Sequence, residues 1–452
     1  MSKRQRVASP GGAAPCDAPP LANDYAGWRP SRGAQLDRVA CASLSPREFF
    51  ERYVATRTPC ILTGGLGDAA WRAPAAWTDA HLRSAAGSAR VRVETREHAG
   101  AAFGAGSHAS MRFDSFLTQL TAGGGDALLY LTTEATRLDT HGRLAVVGPP
   151  LTHLLDDVPL RPALAGALIP AAVNLWLGRA AAGASSGLHH DWHDNLYALL
   201  RGRKRFALYA PSDTLRMYPR GVPASVHANG RINYAGAPSR ADGGDARDVA
   251  RVAALQAADA QAALAAAEAA ERDGAPGGRK ARRAAEAALE EALAETLRAE
   301  ALAAGGGCGE SGEDDSGSDG AAGWCGQDDY QDSDAESGSD DDDGEPPPHF
   351  STVDASRLQD FPLFAEATCV HADVAAGELL FLPAGWWHEV TSWSDGSAGS
   401  DTHLAVNWWF HPPDTADFDK PYSSTLWARD WAYWQRDILP KLAGDAQDSA
   451  PP

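Results

Sequence analysis

The sequence predicts a mainly β protein with flanking helices, in which two sheets of short strands close on each other as a jelly roll. An alanine-rich helical and acidic disordered insertion interrupts it. Three observations carry that prediction. Apolar runs of strand length, bounded by Gly, Pro or Asp, cluster over residues 172–210 and again over 368–410, as antiparallel hairpin strands should. Between them, residues 236–349 lose that punctuation and give way to alanine-rich stretches and then to a Gly/Ser/Asp run. Each half also carries a histidine on a short strand, His189 and His388, so that two antiparallel strands would bring them face to face.

Residues 1–33, rich in Pro, Ala, Gly and Ser without periodicity, read as a disordered tail. The span 34–239 then holds an N-terminal region and the first half of the barrel. Ser45 caps a helix with Pro46 in its first turn, and Pro59–Gly64 follows as a buried strand. Thr78–Ala85 and Phe113–Leu120 are short helices separated by the alternating strand Ala89–Thr95. Asp126–Thr133 is an apolar strand with one phenol, Tyr130, which reads first as a core tyrosine. A Leu- and Pro-rich connection over 149–168 leads to strands Ala172–Gly178, Leu188–Asp191, Asn195–Arg201 and Lys204–Ala210.

The insertion spans 240–348. Ala246–Arg272 and Arg279–Ala304, joined by Asp273–Gly278, form a helical hairpin whose alanine faces bury little, so it reads as a semi-independent stalk. The acidic run after it is a tolerated loop or a binding device, with Trp324 and Tyr330 as the hint of a recognition motif. Over 349–452 the barrel resumes with Thr368–Val374, Glu378–Leu382, Trp387–Trp393 and His403–Phe410. In the last helix, Leu426, Trp427, Trp431, Trp434 and Ile438 fall near one face, which packs on its own barrel or forms a homodimer seam.

The formal charge of −20 is misleading, because fifteen Asp and Glu and no Lys or Arg lie between Glu310 and Glu345. The remainder is only mildly acidic, which argues against a protein held on nucleic acid by its net field. Six cysteines without CxxC spacing read as free thiols of a reducing compartment. No stretch approaches the ~18 to 20 apolar residues of a membrane span, so no membrane partner is expected. The Met-Ser-Lys-Arg-Gln-Arg start lacks the apolar core of a secretory signal, leaving cytoplasm or nucleus.

The chemistry concentrates between Ser186 and Lys204. On a strand only residues two apart share a face, so His189 and His193 each pair with Asp191, whereas His190 is followed two residues on by Trp192. His189 is preferred, because Asp194-Asn195 reads as a turn that swings His193 away. An imidazole nitrogen beside a carboxylate oxygen supplies two ligands of a facial triad that leaves positions open on Fe(II). His-x-Asp alone is common by chance and equally reads as a polar turn. The second motif, Gly377-Glu-Leu-Leu-Phe-Leu-Pro383-Ala-Gly385-Trp-Trp-His388, frames a third ligand with turn residues, as none of its rivals His371, His403 and His411 is framed.

That second motif resembles the second cupin motif, departing from it where Ser392 stands in place of an asparagine. Together with Leu188-His-His-Asp-Trp-His-Asp-Asn-Leu-Tyr197, Gly202-Arg-Lys204, Ala210-Pro-Ser-Asp213 and Ala405-Val-Asn-Trp-Trp409, it makes the chain resemble the Jumonji-C (JmjC) family of Fe(II)- and 2-oxoglutarate-dependent oxygenases. Within that family the chain is most similar to the JmjC-only lysyl hydroxylases of the cupin-8 group, over residues 40–235 and 350–440. The resemblance implies a double-stranded β-helix in which His189, Asp191 and His388 hold Fe(II) and 2-oxoglutarate chelates the iron. It implies that Lys204 and Tyr130 take the cosubstrate's far carboxylate, that Ser186 adds a hydroxyl, and that Asn195 and Asn407 lie near the cosubstrate. Lys204 also stands out in a strand that otherwise turns apolar: it is either solvated at a strand edge or paired with an anion, because an unpaired buried ammonium is costly.

The expected activity is O2-dependent hydroxylation of a protein or peptide side chain of the lysyl type. Histone demethylation or tRNA-base hydroxylation is the alternative within the same chemistry. A non-catalytic cupin scaffold that binds partners through the acidic insert is the alternative outside it. Trp386, Trp387, Trp408 and Trp409 either wall the site against water or fill the barrel. Specificity is expected in the 214–240 loop and the Trp-rich rim.

Overall fold

The computed structural model describes residues 21–96, 106–122, 128–133, 145–179, 183–305, 347–394 and 402–442. The acidic run with Trp324 and Tyr330 lies outside them, as do residues 1–20 of the expected tail. The rest of that tail is packed. β1 (Ala22–Asn23) lies parallel to Ser225 and Val226, Tyr25 is buried, and Trp28 stacks on Trp386 at 5.8 Å between ring centroids. Composition averaged over a window hides two such aromatic anchors.

β2 (Asp37–Ala40) leads to α1 (Pro46–Phe49), where the Ser45 hydroxyl accepts the Glu48 N–H (3.2 Å) and the Glu48 carboxylate accepts the Ser45 N–H (2.8 Å). A wider helical turn over Phe50–Val54 buries Phe50, Tyr53 and Val54. β3 (Cys60–Thr63) then runs parallel to β2. After α2 (Ala73–Ala76), Thr78 caps α3 (Asp79–Ala86). β4 (Arg90–Arg96) pairs with β5 (Ser107–Arg112), a polar edge strand that no apolar pattern announces. α4 (Phe113–Thr121) buries Phe113, Phe116, Leu117 and Leu120, one helical face at i, i+3, i+4 and i+7. β6 (Leu128–Thr132) carries Tyr130.

The barrel strands before the insertion are β7 (Pro170–Arg179), β8 (Ala184–Ser185), β9 (His189–His190), β10 (Asp194–Arg201) and β11 (Arg203–Tyr209), followed by β12 (Pro223–Val226) and β13 (Ile232–Tyr234). From the far side of the insertion come β14 (Val370–Ala375), β15 (Leu379–Leu382), β16 (Trp387–Trp393) and β17 (Thr402–Phe410). One sheet runs β2-β3-β15-β10-β17-β7-β6-β4-β5, and a second runs β14-β11-β16-β8 with β9 also on β16. β1, β12 and β13 make a small third sheet. Strand alternation separates two cores. On β17, Leu404, Val406, Trp408 and Phe410 face the helices outside the large sheet, whereas Ala405 joins Tyr197, Phe206, Leu208, Val374 and Leu382 between the two sheets.

α5 (Ala246–Arg272) and α6 (Gly278–Gly305) form the expected hairpin. Its base is not free. Val252 is buried in the outer core, and Arg251 donates to Asp430 (2.5 Å) on α7 (Leu426–Asp437). Trp427, Trp431 and Trp434 are buried within the same core, so the face expected as a barrel contact or a dimer seam is covered inside the chain. Among the described residues no helix is long and apolar enough to cross a membrane.

Candidate metal centre

β9 and β16 pair with His189 directly opposite His388, and their ring centroids lie 4.3 Å apart. Asp191 sits just past the end of β9, in a bend whose carbonyl accepts the Gly385 N–H (2.8 Å). That bond ties the turn before His388 to the first motif. The geometry therefore differs from simple strand alternation: Asp191 is placed by the bend and not by a two-residue repeat on a strand. One ligand atom from each of His189, Asp191 and His388 lies within 4.8 Å of the others.

The two imidazoles are held in one tautomer. His189 Nδ1 faces the Gly187 carbonyl (3.0 Å) and His388 Nδ1 faces the Trp386 carbonyl (2.9 Å), so each Nδ1 carries the proton and each Nε2 keeps its lone pair. Burial pushes both imidazoles down to about 4, which keeps them neutral, and His388 further lowers His189. Burial raises the Asp191 carboxyl, while His189 and a hydrogen bond from Asn195 pull it back. Two neutral nitrogens and a carboxylate with one side open suit a divalent first-row metal.

Behind Asp191 runs a relay. The Trp176 indole donates to Asn407 Oδ1 (2.7 Å), the Asn407 amide donates to Asn195 Oδ1 (2.9 Å), and Asn195 reaches Asp191. Asn195, held by Asn407, thus stands beside the Asp191 carboxylate. The Arg57 guanidinium, absent from the sequence reading, pairs with Asp194, and Asp194 Oδ1 also accepts the Ala384 N–H (2.9 Å). Asp194, read as a turn residue, is instead the buried first residue of β10. His193 does turn away from the cluster and stacks on Trp409 at 5.7 Å.

Lys204 is 3% exposed and looks across the barrel interior, with Nζ 5.2 Å from the Tyr197 ring centroid. Burial alone lowers it to about 7, and among the described residues no carboxylate pairs with it. Its partner on β16 is Ser392, at the position where the cupin motif has asparagine. Tyr130 leans toward His403, at 5.6 Å between ring centroids, and toward Trp176 at 6.4 Å. Among the described residues, the Tyr197 hydroxyl, both amide atoms of Asn174 and His403 Nδ1 are buried and have no hydrogen-bond partner. The Tyr197 hydroxyl, the Asn174 amide N–H and a His403 ring N–H, on the interior faces of neighbouring strands, are donors that a bound anion would satisfy, and the uncompensated Lys204 ammonium lies beside Tyr197 and His403.

Ser186 is differently used. Its hydroxyl accepts the Val390 N–H (3.0 Å) and donates to the Gly187 carbonyl (2.9 Å), stitching the approach to β9 onto β16. Among the rivals, His371 is exposed on β14 and His411 stacks on Trp427. Trp386, Trp387 and Trp408 are fully buried filling, and Trp409 stands nearer the open side. The chain returns from the insertion beside the centre, where Phe350 stacks on His189 at 5.0 Å and His349 packs on Trp192 at 4.4 Å. No motif marks that return in the sequence.

A family model described as a cupin-like domain matches residues 46–416. JmjC domain-containing protein 4 of Schizosaccharomyces pombe is 32% identical over 438 residues, which cover 88% of this chain and 89% of that protein. The chain belongs to the cupin-like JmjC family. A human JmjC relative, the bifunctional peptidase and (3S)-lysyl hydroxylase JMJD7, is 30% identical over 180 residues, 37% of this chain and 52% of its own length. The lysine-specific demethylase JMJ32 of Arabidopsis thaliana is 39% identical over 59 residues, 13% of this chain and 16% of its own. JmjC proteins use Fe(II) and 2-oxoglutarate, and the His-Asp-His cluster of this member is compatible with iron.

Proposed function

We propose that this chain is an Fe(II)- and 2-oxoglutarate-dependent oxygenase that hydroxylates a protein side chain of the lysyl type. The observation that carries the reading is Lys204, a buried ammonium with no carboxylate partner among the described residues, inside the same barrel that gathers His189, Asp191 and His388. A dicarboxylate reaching from the metal to Lys204 satisfies both ends at once. The lysyl class is supported by the human relative's name.

With Fe(II) and 2-oxoglutarate bound, the centre supplies O2-dependent oxidation of an unactivated carbon, with succinate and carbon dioxide as coproducts. The chain's own part is placement. His189 and His388 present Nε2 lone pairs fixed by backbone carbonyls. Asn195 and Asn407 orient Asp191, Lys204 and Tyr130 receive the far carboxylate, and the half-buried His189 and Asp191 leave a way in for the substrate.

The test is mass spectrometry of lysine-containing peptides after incubation with iron-loaded protein, 2-oxoglutarate and O2. A gain of one oxygen coupled to succinate supports the reading, and loss of a methyl group from methylated lysine turns it toward demethylation. Protein that binds iron yet neither binds nor converts 2-oxoglutarate sinks it. His388→Ala serves as the inactive control.

A further inference from the structure

His403 is a buried ring whose Nδ1 lacks a hydrogen-bond partner among the described residues. It was a rival third ligand by residue type, but β17 places it 1% exposed, opposite Gly178, which itself lies opposite Tyr130 on β6. His403, Gly178 and Tyr130 thus form one row across three strands. The glycine is what lets the two rings lean together: a Cβ there would lie 2.5 Å from Tyr130 Cδ2 and 3.2 Å from His403 Nε2. On the other side Gly202, at φ +90°, presses the hairpin backbone against His403, so that a Cβ would sit 2.9 Å from the histidine Cβ. The ring is thus crowded by Gly178 and its Cβ by Gly202, yet among the described residues its buried Nδ1 has no hydrogen-bond partner.

The surroundings fix its protonation. Burial, and after it the charges of Lys204 and Arg96, hold His403 far below the usual imidazole range, so it is neutral and offers one N–H. A neutral donor clamped beside an unpaired ammonium and two tyrosines is arranged to receive a carboxylate.

We propose that His403 is a binding residue for the distal carboxylate of a 2-oxo dicarboxylic acid, donating its N–H beside Lys204. The inference rests on the oxygenase reading and deepens it. It explains why a histidine remains buried with an unsatisfied nitrogen on a strand whose other polar side chains are Thr402 and Asn407.

Calorimetric titration of the full chain loaded with Mn(II) tests it, using 2-oxoglutarate and 2-oxopentanoate, which has a methyl group where the distal carboxylate stands. His403→Leu should weaken 2-oxoglutarate binding about tenfold or more, the scale of one hydrogen bond to a charged group. Binding of 2-oxopentanoate and of Mn(II) should stay within about twofold, and His403→Gln should recover most of the lost affinity. Unchanged 2-oxoglutarate affinity in His403→Leu overturns the proposal, and so does an equal loss for both acids. Wild-type protein that binds neither acid overturns the oxygenase reading itself, and this inference with it.

Discussion

The Asp194 carboxylate joins Arg57, in the turn after the helical residues Phe50–Val54, to the backbone of Ala384, in the turn that precedes His388. The pair has 4% and 0% of its side chains exposed, so one ion pair holds both halves of the candidate centre against the N-terminal region.

Removing one partner strands the other charge in the interior. Arg57→Ala is expected to cost about 3–5 kcal/mol in chemical denaturation, and removing Asp194 as well should restore part of the loss. A single variant within about 0.5 kcal/mol of wild type would mean that water already reaches Asp194.

Asn407 matters through Asp191. Asn407→Ala leaves the Trp176 indole and the Asn195 amide without their partner and frees the carboxylate to rotate. Metal affinity should fall about 10- to 100-fold with the fold intact by circular dichroism. An unchanged metal isotherm would deny the relay any part in binding.

Lys204 gives the ligand-free protein a pH signature. Its folded value near 7 lies below the ordinary 10.5, so between those values the unfolded chain binds more protons, and stability is lost as pH falls from about 10.5 to 7. Lys204→Met should therefore stabilise the ligand-free protein more at pH 6 than at pH 9, by on the order of 2 kcal/mol. Wild-type protein should take up close to one proton on binding 2-oxoglutarate at pH 8 and almost none at pH 6, read from heats in buffers of different ionisation enthalpy.

Gly385 has φ +75°, and a Cβ there would lie 1.8 Å from the Gly230 carbonyl oxygen. Gly385→Ala must move that backbone and, with it, the approach to His388. At least about 3 kcal/mol of destabilisation is expected in thermal or urea unfolding. A substitution tolerated without loss would show that this turn adjusts freely.

Much of this was legible because local chemistry announces itself. Gly377, Pro383 and Gly385 are turn residues whose spacing dictates a short strand and a histidine after it, and a lysine in an apolar strand is conspicuous wherever it falls. Ser45 and Thr78 mark helix starts by the same local logic. What escaped was set by partners far away in the chain. Asp194 looks like a turn residue until Arg57 is seen beside it, and β5 is a strand only because β4 gives it somewhere to pair. The stalk reads as free until Arg251 meets Asp430. Asn174 and His403 sit in strands whose inward faces are known only once the register between residues on either side of the insertion is fixed.

The placement of β17 between β10 and β7 carries a consequence for how the protein is made. A nascent chain emerging from the ribosome holds an unfilled groove at the middle of its largest sheet until residue 410 has been synthesised, with Leu175 and Leu196 left unsheltered on either side. Shortening the chain before that point would remove the keystone and not a terminus. Such long-range closure is slow, so the half-made barrel is the stage at which chaperones and aggregation compete for it.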